Sequence, residues 1–300
     1  MAQVRGETAS SGPASADGAP VLFMARLRAR WARGTLLCVG LDPELERLPA
    51  MVPGATPGAR IVAFNRAIIA ATADLVCAYK PNSAFYEAYG PEGLEALRQT
   101  IALIHELAPE VPVLLDAKRG DMANTSRAYA RAVFDVYGAD AVTVQPYQGH
   151  EALGPFIERA ERGVFVLCRT SNPGAAELQD LSVAGEPLYL HLARRVAQAW
   201  NARGNCGLVV GATWPGELRA VREVAPDLPI LVPGIGAQGG DLEASVRAGL
   251  DRDGQGLLVS ASRSVLYADA GPDFAQAARR EALRLRDAIN AAAGANPATR

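Results

Sequence analysis

Residues 113–144 read VLLDAKRGDMANTSRAYARAVFDVYGADAVTV. An apolar run over 113–118 gives way to a polar turn at Gly120. Helical spacing follows over 125–137, and a second apolar run covers 141–144. Short continuous apolar runs mark strands buried on both faces, and strand, helix and strand in about thirty residues make the βαβ unit of a parallel sheet. The same beat extends in both directions. Further strand candidates lie at 36–41, 75–80, 164–169, 207–211, 230–233 and 257–260. Helical stretches lie between them, such as 61–74, 92–107, 188–202, 216–224 and 242–248, and a last one runs from 272 to about 293. Eight strands, each followed by a helix, count out a single-domain α/β protein, a (β/α)8 TIM barrel. An open doubly wound sheet is the alternative, but no GxGxxG follows the first strand.

Composition bounds the rest. Among 300 residues, 30 basic and 32 acidic side chains leave a formal charge of -2, which argues against a protein built to bind nucleic acid electrostatically. At 49% hydrophobic and 21% charged the chain is ordinary globular material, and no run approaches the ~18 apolar residues that would span a membrane. Residues 1–20, rich in Ala, Ser, Gly and Pro without an apolar centre, read as a disordered tail rather than a secretory signal. The barrel domain is then 21–293, with a frayed end over 294–300. Cys38, Cys77, Cys168 and Cys206 stand far apart in or beside apolar runs, as core thiols of a reducing, cytoplasmic compartment do. No CxxC or HExxH occurs, and His105, His150 and His191 lack ligand spacing, so no metal is expected.

A barrel of this kind carries its chemistry just past the C-terminal ends of its strands. Those ends hold Asp42, Lys80, Asp116 with Lys118 and Asp121, Gln145 and Tyr147, Arg169 with Ser171, Gly211 with Thr213, Gly234 with Gln238, and Ser262 with Arg263. Asp116 and Lys118, two apart in a strand, project to one side. Gly120 permits a tight turn that carries Asp121 back near them, and Lys80 ends the neighbouring strand, so two carboxylates and two ammonium groups can alternate. An isolated surface Asp–Lys pair contributes only about 0–1 kcal/mol. In a partly desolvated mouth, charges ~4 Å apart interact by about 4 kcal/mol at an effective dielectric of ~20, enough to fix a lysine's position and protonation. Such a lysine serves as proton donor or as Schiff-base nucleophile; flanking carboxylates favour the ammonium, and Lys118 reads as the acid.

After the seventh strand comes Pro233-Gly234-Ile235-Gly236-Ala237-Gln238-Gly239-Gly240-Asp241, and after the eighth Ser262-Arg263-Ser264. The glycines let backbone amides turn towards an anion, Asp241 can cap the next helix, and Arg263 offers a fork to phosphoryl oxygens. The loops after strands seven and eight of such barrels often hold a phosphate, so the expected ligand is a phosphorylated small molecule. Loop five, Thr170-Ser171-Asn172-Pro173-Gly174-Ala175, suits hydrogen bonding to a polar heterocycle or sugar, and equally an ordinary turn.

With these residues in place, the sequence resembles the orotidine 5'-phosphate decarboxylases. Asp116-Ala117-Lys118-Arg119-Gly120-Asp121 looks like that family's DxKxxD signature. Val39-Gly40-Leu41-Asp42-Pro43, Tyr79-Lys80-Pro81-Asn82, Ser171-Asn172-Pro173-Gly174-Ala175, the 233–241 loop and Ser262-Arg263-Ser264 follow in the required order, from about Leu22 to Ala288. Phe64-Asn65-Arg66 and the Lys80–Tyr86 loop look closest to the bacterial type 2 branch. The resemblance implies cofactor-free conversion of orotidine 5'-phosphate (OMP) to uridine 5'-phosphate (UMP) and CO2 in pyrimidine biosynthesis. Lys118 would protonate C6, Asp116 would face the departing carboxylate, and Lys80 would hold the array and touch the ribose. Asp42 would bind a ribose hydroxyl, Ser171 the pyrimidine edge, and Gln238 and Arg263 the phosphate, beside Pro233, Gly234 and the Ser262 backbone N–H. Ser262 departs from a glycine often found there. Asp121 and Thr125 would reach into a partner's site, which implies a homodimer. Three rivals remain on the same barrel: a Mg2+-dependent sugar-phosphate lyase, a silent nucleotide sensor and a Schiff-base aldolase.

Overall fold

The computed structural model describes residues 22–213, 215–234 and 241–294. The expected tail at 1–20 and the end at 295–300 lie outside the described residues, while Gly294 closes the last helix. Eight parallel strands form one sheet: β1 Leu37–Leu41, β2 Ala78–Pro81, β3 Leu114–Arg119, β4 Ala141–Val144, β5 Gly163–Arg169, β6 Cys206–Val210, β7 Ile230–Val232 and β8 Leu257–Ala261. Their order is β2-β1-β8-β7-β6-β5-β4-β3. Bridges Tyr79↔Val113 and Asn82↔Asp116 bring the edges β2 and β3 together, giving a nearly closed barrel. Every residue of β1, β5, β6 and β8 is buried, as continuous apolar runs require when helices cover one face and the barrel interior the other.

The outer helices follow the sequence periodicity to within a few residues. They are Pro57–Thr72, Gly90–Leu107, Ala123–Arg131, Leu188–Arg195, Pro215–Val224, Leu242–Gly249 and Phe274–Gly294. Two of them run on through π-helical turns, Ala132–Val136 and Val196–Trp200. Their starts are chemically marked: Thr56 caps the first over Ala59 N at 3.3 Å with Pro57 behind it, and Asp241 caps another over Ala244 N at 3.0 Å. The four cysteines are buried thiols. Among the described residues no helix is long and apolar enough to cross a membrane.

Two helices escape the sequence pattern, each for a physical reason. Phe23–Trp31 covers the N-terminal end of the barrel and buries Arg26 and Arg30, which share the face of Phe23 and Leu27 although their charge reads as solvent-facing. Arg26 pairs with Asp140 at 2.7 Å and donates to the Pro109 and Val111 carbonyls, while Arg30 takes those of Ala73 and Val76. Both guanidiniums thus satisfy carbonyls at the entry to β2 and β3 that would otherwise be buried unpaired, and Arg26 also meets the Asp140 carboxylate before β4. Phe23 packs edge-on to Phe165 at 5.9 Å, over Gly163, where a Cβ would meet its ring at 2.5 Å. The second helix, His150–Ile157, carries Pro155 inside it, which in sequence reads as a helix breaker. Loop five is also longer than a simple turn. It includes a short helix, Ala176–Gln179, and an antiparallel pair, Ser182–Val183 with Glu186–Pro187, around Ala184 and Gly185 at φ 52° and 87°. That two-residue turn needs positive φ at both positions, and an alanine in one of them hides it from sequence.

Candidate active site

The C-terminal end of the barrel opens into a cavity of about 880 Å³. Lys80, Asp116 and Lys118 form one wall; Leu167, Cys168, Val209 and Leu231 give an apolar side; Ser171 and Pro233 face in from loops five and seven. Asp116 is the hub. Its Oδ1 accepts from Lys118 Nζ at 2.7 Å and Thr143 Oγ1 at 2.8 Å, and its Oδ2 from Lys80 Nζ at 3.2 Å and Asn82 Nδ2 at 3.3 Å. Four donors on one carboxylate leave little of its hydrogen-bonding capacity unused.

Burial alone would push the Asp116 carboxyl up, but the Lys80 and Lys118 ammonium groups outweigh it and hold the acid well below the usual carboxylate range. Lys80 is the reverse case: burial opposes its charge, and Asp42 with Asp116 outweighs that cost and keeps the ammonium above its ordinary range. Asp42 acts from the other side of β2, its Oδ1 accepting the Asn82 backbone N–H at 3.2 Å. Within one chain the alternation is therefore Asp42, Lys80, Asp116, Lys118.

The backbone makes this possible in a way strand alternation does not. The β3–β4 register shifts between Leu115 and Arg119, and Lys118 sits at φ 47°, in the left-handed region. Asp116 and Lys118 do reach the same cavity, but across an irregular strand end. Gly120, at φ 156°, lies so close to β4 that a Cβ would meet the Gln145 carbonyl oxygen at 2.7 Å. Asp121 follows that turn and is half-buried. Its Oδ1 accepts from Met122 N at 2.7 Å, and among the described residues neither it nor Thr125 lines the cavity.

The remaining expected residues occupy the rim. Ser171 rests on Gly211, where a Cβ would meet its own Cβ at 2.7 Å, so glycine at the end of β6 admits loop five. Thr170 N donates to Gln179 Oε1 at 2.8 Å and Arg169 pairs with Asp180 at 2.9 Å, tying that loop into its folded excursion. Gly234 takes φ 100°, while Gln238 lies outside the described residues. A Cβ on Gly40 would collide with Ser262 Oγ and reach Asp42 Oδ2 at 3.1 Å, so bare backbone in β1 brings loop eight beside Asp42. Arg263 begins the short helix Arg263–Leu266, its side chain exposed. Sequence reasoning missed Thr143 and gave Asn82 no role. A lone hydroxyl in the buried run Ala141–Val144 was the available signal for Thr143.

Fold and site together define a TIM-barrel enzyme with an acid–base array at its mouth. Residues 35–280 match the family described as orotidine 5'-phosphate decarboxylase / HUMPS. An orotidine 5'-phosphate decarboxylase of Thermomicrobium roseum is 62% identical over 271 residues, 89% of this chain and 94% of that protein. The solved OMP decarboxylase of Leishmania donovani superposes with a TM-score of 0.80 at 42% identity, over 92% of this chain and 100% of its own. The UMP synthase of the same organism gives 0.82 at 44% identity, and there this chain spans 92% of its own length and 57% of the longer protein. The chain belongs to the orotidine 5'-phosphate decarboxylase / HUMPS family.

Proposed function

We propose that the protein decarboxylates OMP to UMP, without a cofactor, as a member of the family's bacterial type 2 branch. The observation that carries this is the Lys80–Asp116–Lys118 array on the wall of the mouth cavity. When the C6–carboxylate bond breaks, the electron pair stays in an sp² orbital at C6 that the ring π system does not delocalise directly. A preorganised ammonium answers that charge best, because its positive charge and position are set before the reaction. Lys118 Nζ gives its proton to C6 and regains one from solvent; the CO2 leaves. Asp116 stands against the substrate carboxylate, and Lys80, buried between Asp42 and Asp116, holds the array and meets the ribose.

The outlying residues bind the remote parts. Asp42 takes a ribose hydroxyl and Ser171 the pyrimidine edge. Gln238 and Arg263 take the phosphate with the Pro233–Gly234 turn and the Ser262 backbone. Binding energy from that phosphate positions the array, excludes water and raises the effect of every charge inside. Asp121 and Thr125 serve the partner's site in a homodimer. This is supported by the absence of Asp121 and Thr125, among the described residues, from the lining of their own chain's cavity and by the exposed apolar side chain of Met122 next to Asp121 in the chain.

The test is loss of OMP absorbance with purified, EDTA-treated protein. Conversion to UMP supports the reading. UMP binding without turnover would instead make the chain a nucleotide sensor, EDTA-sensitive cleavage of a sugar phosphate would make it a metal-dependent lyase, and borohydride trapping of a substrate adduct would make it an aldolase.

A further inference from the structure

Thr143 sits on β4 opposite the irregular end of β3. The β3–β4 ladder pairs Leu115 with Val142 and then Arg119 with Val144, so Thr143 has no backbone partner on β3. Its side chain fills that role. The hydroxyl accepts the Lys118 backbone N–H at 3.0 Å and lies 2.8 Å from Asp116 Oδ1. An N–H can only donate and an ionised carboxylate can only accept, so the hydroxyl proton must point at Asp116. The same Oδ1 receives Lys118 Nζ at 2.7 Å. Both ends of Lys118, main chain and ammonium, are thus tied to one carboxylate oxygen, through Thr143 at one end and directly at the other.

The tie matters because Lys118 holds a backbone conformation that a residue with a Cβ seldom adopts, φ 47°. Such conformations persist where the surroundings over-determine them. Thr143 is itself only 1% exposed, so its two hydrogen bonds form in the low-dielectric interior, where they are stronger than in water. We propose that Thr143 is the positioning residue that locks Lys118 into its left-handed backbone and sets its ammonium on Asp116 for proton delivery. The proposal rests on the proposed decarboxylation, and its effect should fall on the chemical step rather than on binding.

The experiment compares Thr143→Val, which keeps shape and removes both bonds, with Thr143→Ser, which keeps both. Losing hydrogen bonds that orient a charged group lowers kcat by roughly 10- to 100-fold in T143V, with UMP affinity changed by less than about 3-fold, while T143S recovers most of the loss. Crystal structures provide a second arm independent of turnover. In T143V, Lys118 leaves the left-handed region or its Nζ moves beyond about 4 Å from Asp116, and in T143S it does neither. Equal kcat losses in T143V and T143S, parallel losses of kcat and UMP affinity, or an unmoved Lys118 in T143V would overturn the proposal. A wild type that does not convert OMP overturns the functional reading alone, and the crystallographic arm then decides the positioning role.

Discussion

Replacing Asp116 with asparagine keeps the shape of the hub and removes its charge. The carboxylate faces Lys80 Nζ at 3.2 Å and Lys118 Nζ at 2.7 Å. At an effective dielectric of ~20 those separations correspond to gross attractions of about 5 and 6 kcal/mol. The second is discounted, because the Lys118 side chain is 44% exposed and solvent screens it. Desolvating Asp116 offsets several kcal/mol more. What decides the outcome is Lys80, 4% exposed, which would keep its charge with Asp42 as its remaining carboxylate neighbour. Breaking a buried pair in this way costs about 3–5 kcal/mol, far above a surface pair. Equilibrium urea unfolding at neutral pH should show that loss as a lower midpoint at unchanged slope. Adding Lys80→Met removes the stranded ammonium, so the double variant should be more stable than the sum of the single losses by at least about 1 kcal/mol. A D116N cost below about 1 kcal/mol, or strict additivity with K80M, would refute the buried-array account.

Other consequences are checked separately. Asp116 is held below its unfolded value and Lys80 above it, so the first stabilises above about pH 4 and loses its share as pH falls further. The second stabilises below about pH 10 and loses its share as pH rises further. The stability difference between wild type and D116N should therefore be flat from about pH 5 to pH 9 and shrink on both sides; a midrange slope contradicts the assignment. Arg263→Ala should raise KM for OMP by roughly 10- to 100-fold with a smaller change in kcat, since a charge-assisted contact to phosphate is lost; an unchanged KM excludes Arg263 from phosphate binding. Asp121→Ala and Lys118→Ala subunits, each inactive alone, should regain about a quarter of wild-type activity after mixing, because half of randomly paired dimers hold one intact site. No recovery, with exchange shown by mass, would place Asp121 in its own subunit's site.

Much of the fold was legible because double-sided burial leaves a plain mark. β1, β4, β5 and β8 appear in sequence as short, mostly apolar runs within a residue of their observed limits. Lys80, Asp116 and Lys118 were legible as charges at the ends of such runs, and all three meet in one cavity. What stayed hidden depends on exceptions to local rules. Strand alternation predicts the side on which Asp116 and Lys118 emerge, but not the register shift or the positive φ that sets their contact. Gly120 marks a turn without giving its direction, so Asp121 reads as part of the local array, whereas among the described residues it is not one of those lining the cavity. Arg26 and Arg30 look like surface charges because only tertiary structure supplies the carbonyls that make burying them tolerable. Thr143 looks like a strand threonine until the bulge opposite it is known.

Lys118→Ala tests the central claim most directly, measured as kcat for OMP beside the dissociation constant for UMP on the same preparation. A positioned general acid contributes about 10²- to 10⁴-fold, so kcat should fall by at least that much while UMP binding changes by less than about 10-fold. A variant that decarboxylates within about 10-fold of wild type, or that loses UMP binding in step with turnover, would contradict the assignment of Lys118 as the proton donor.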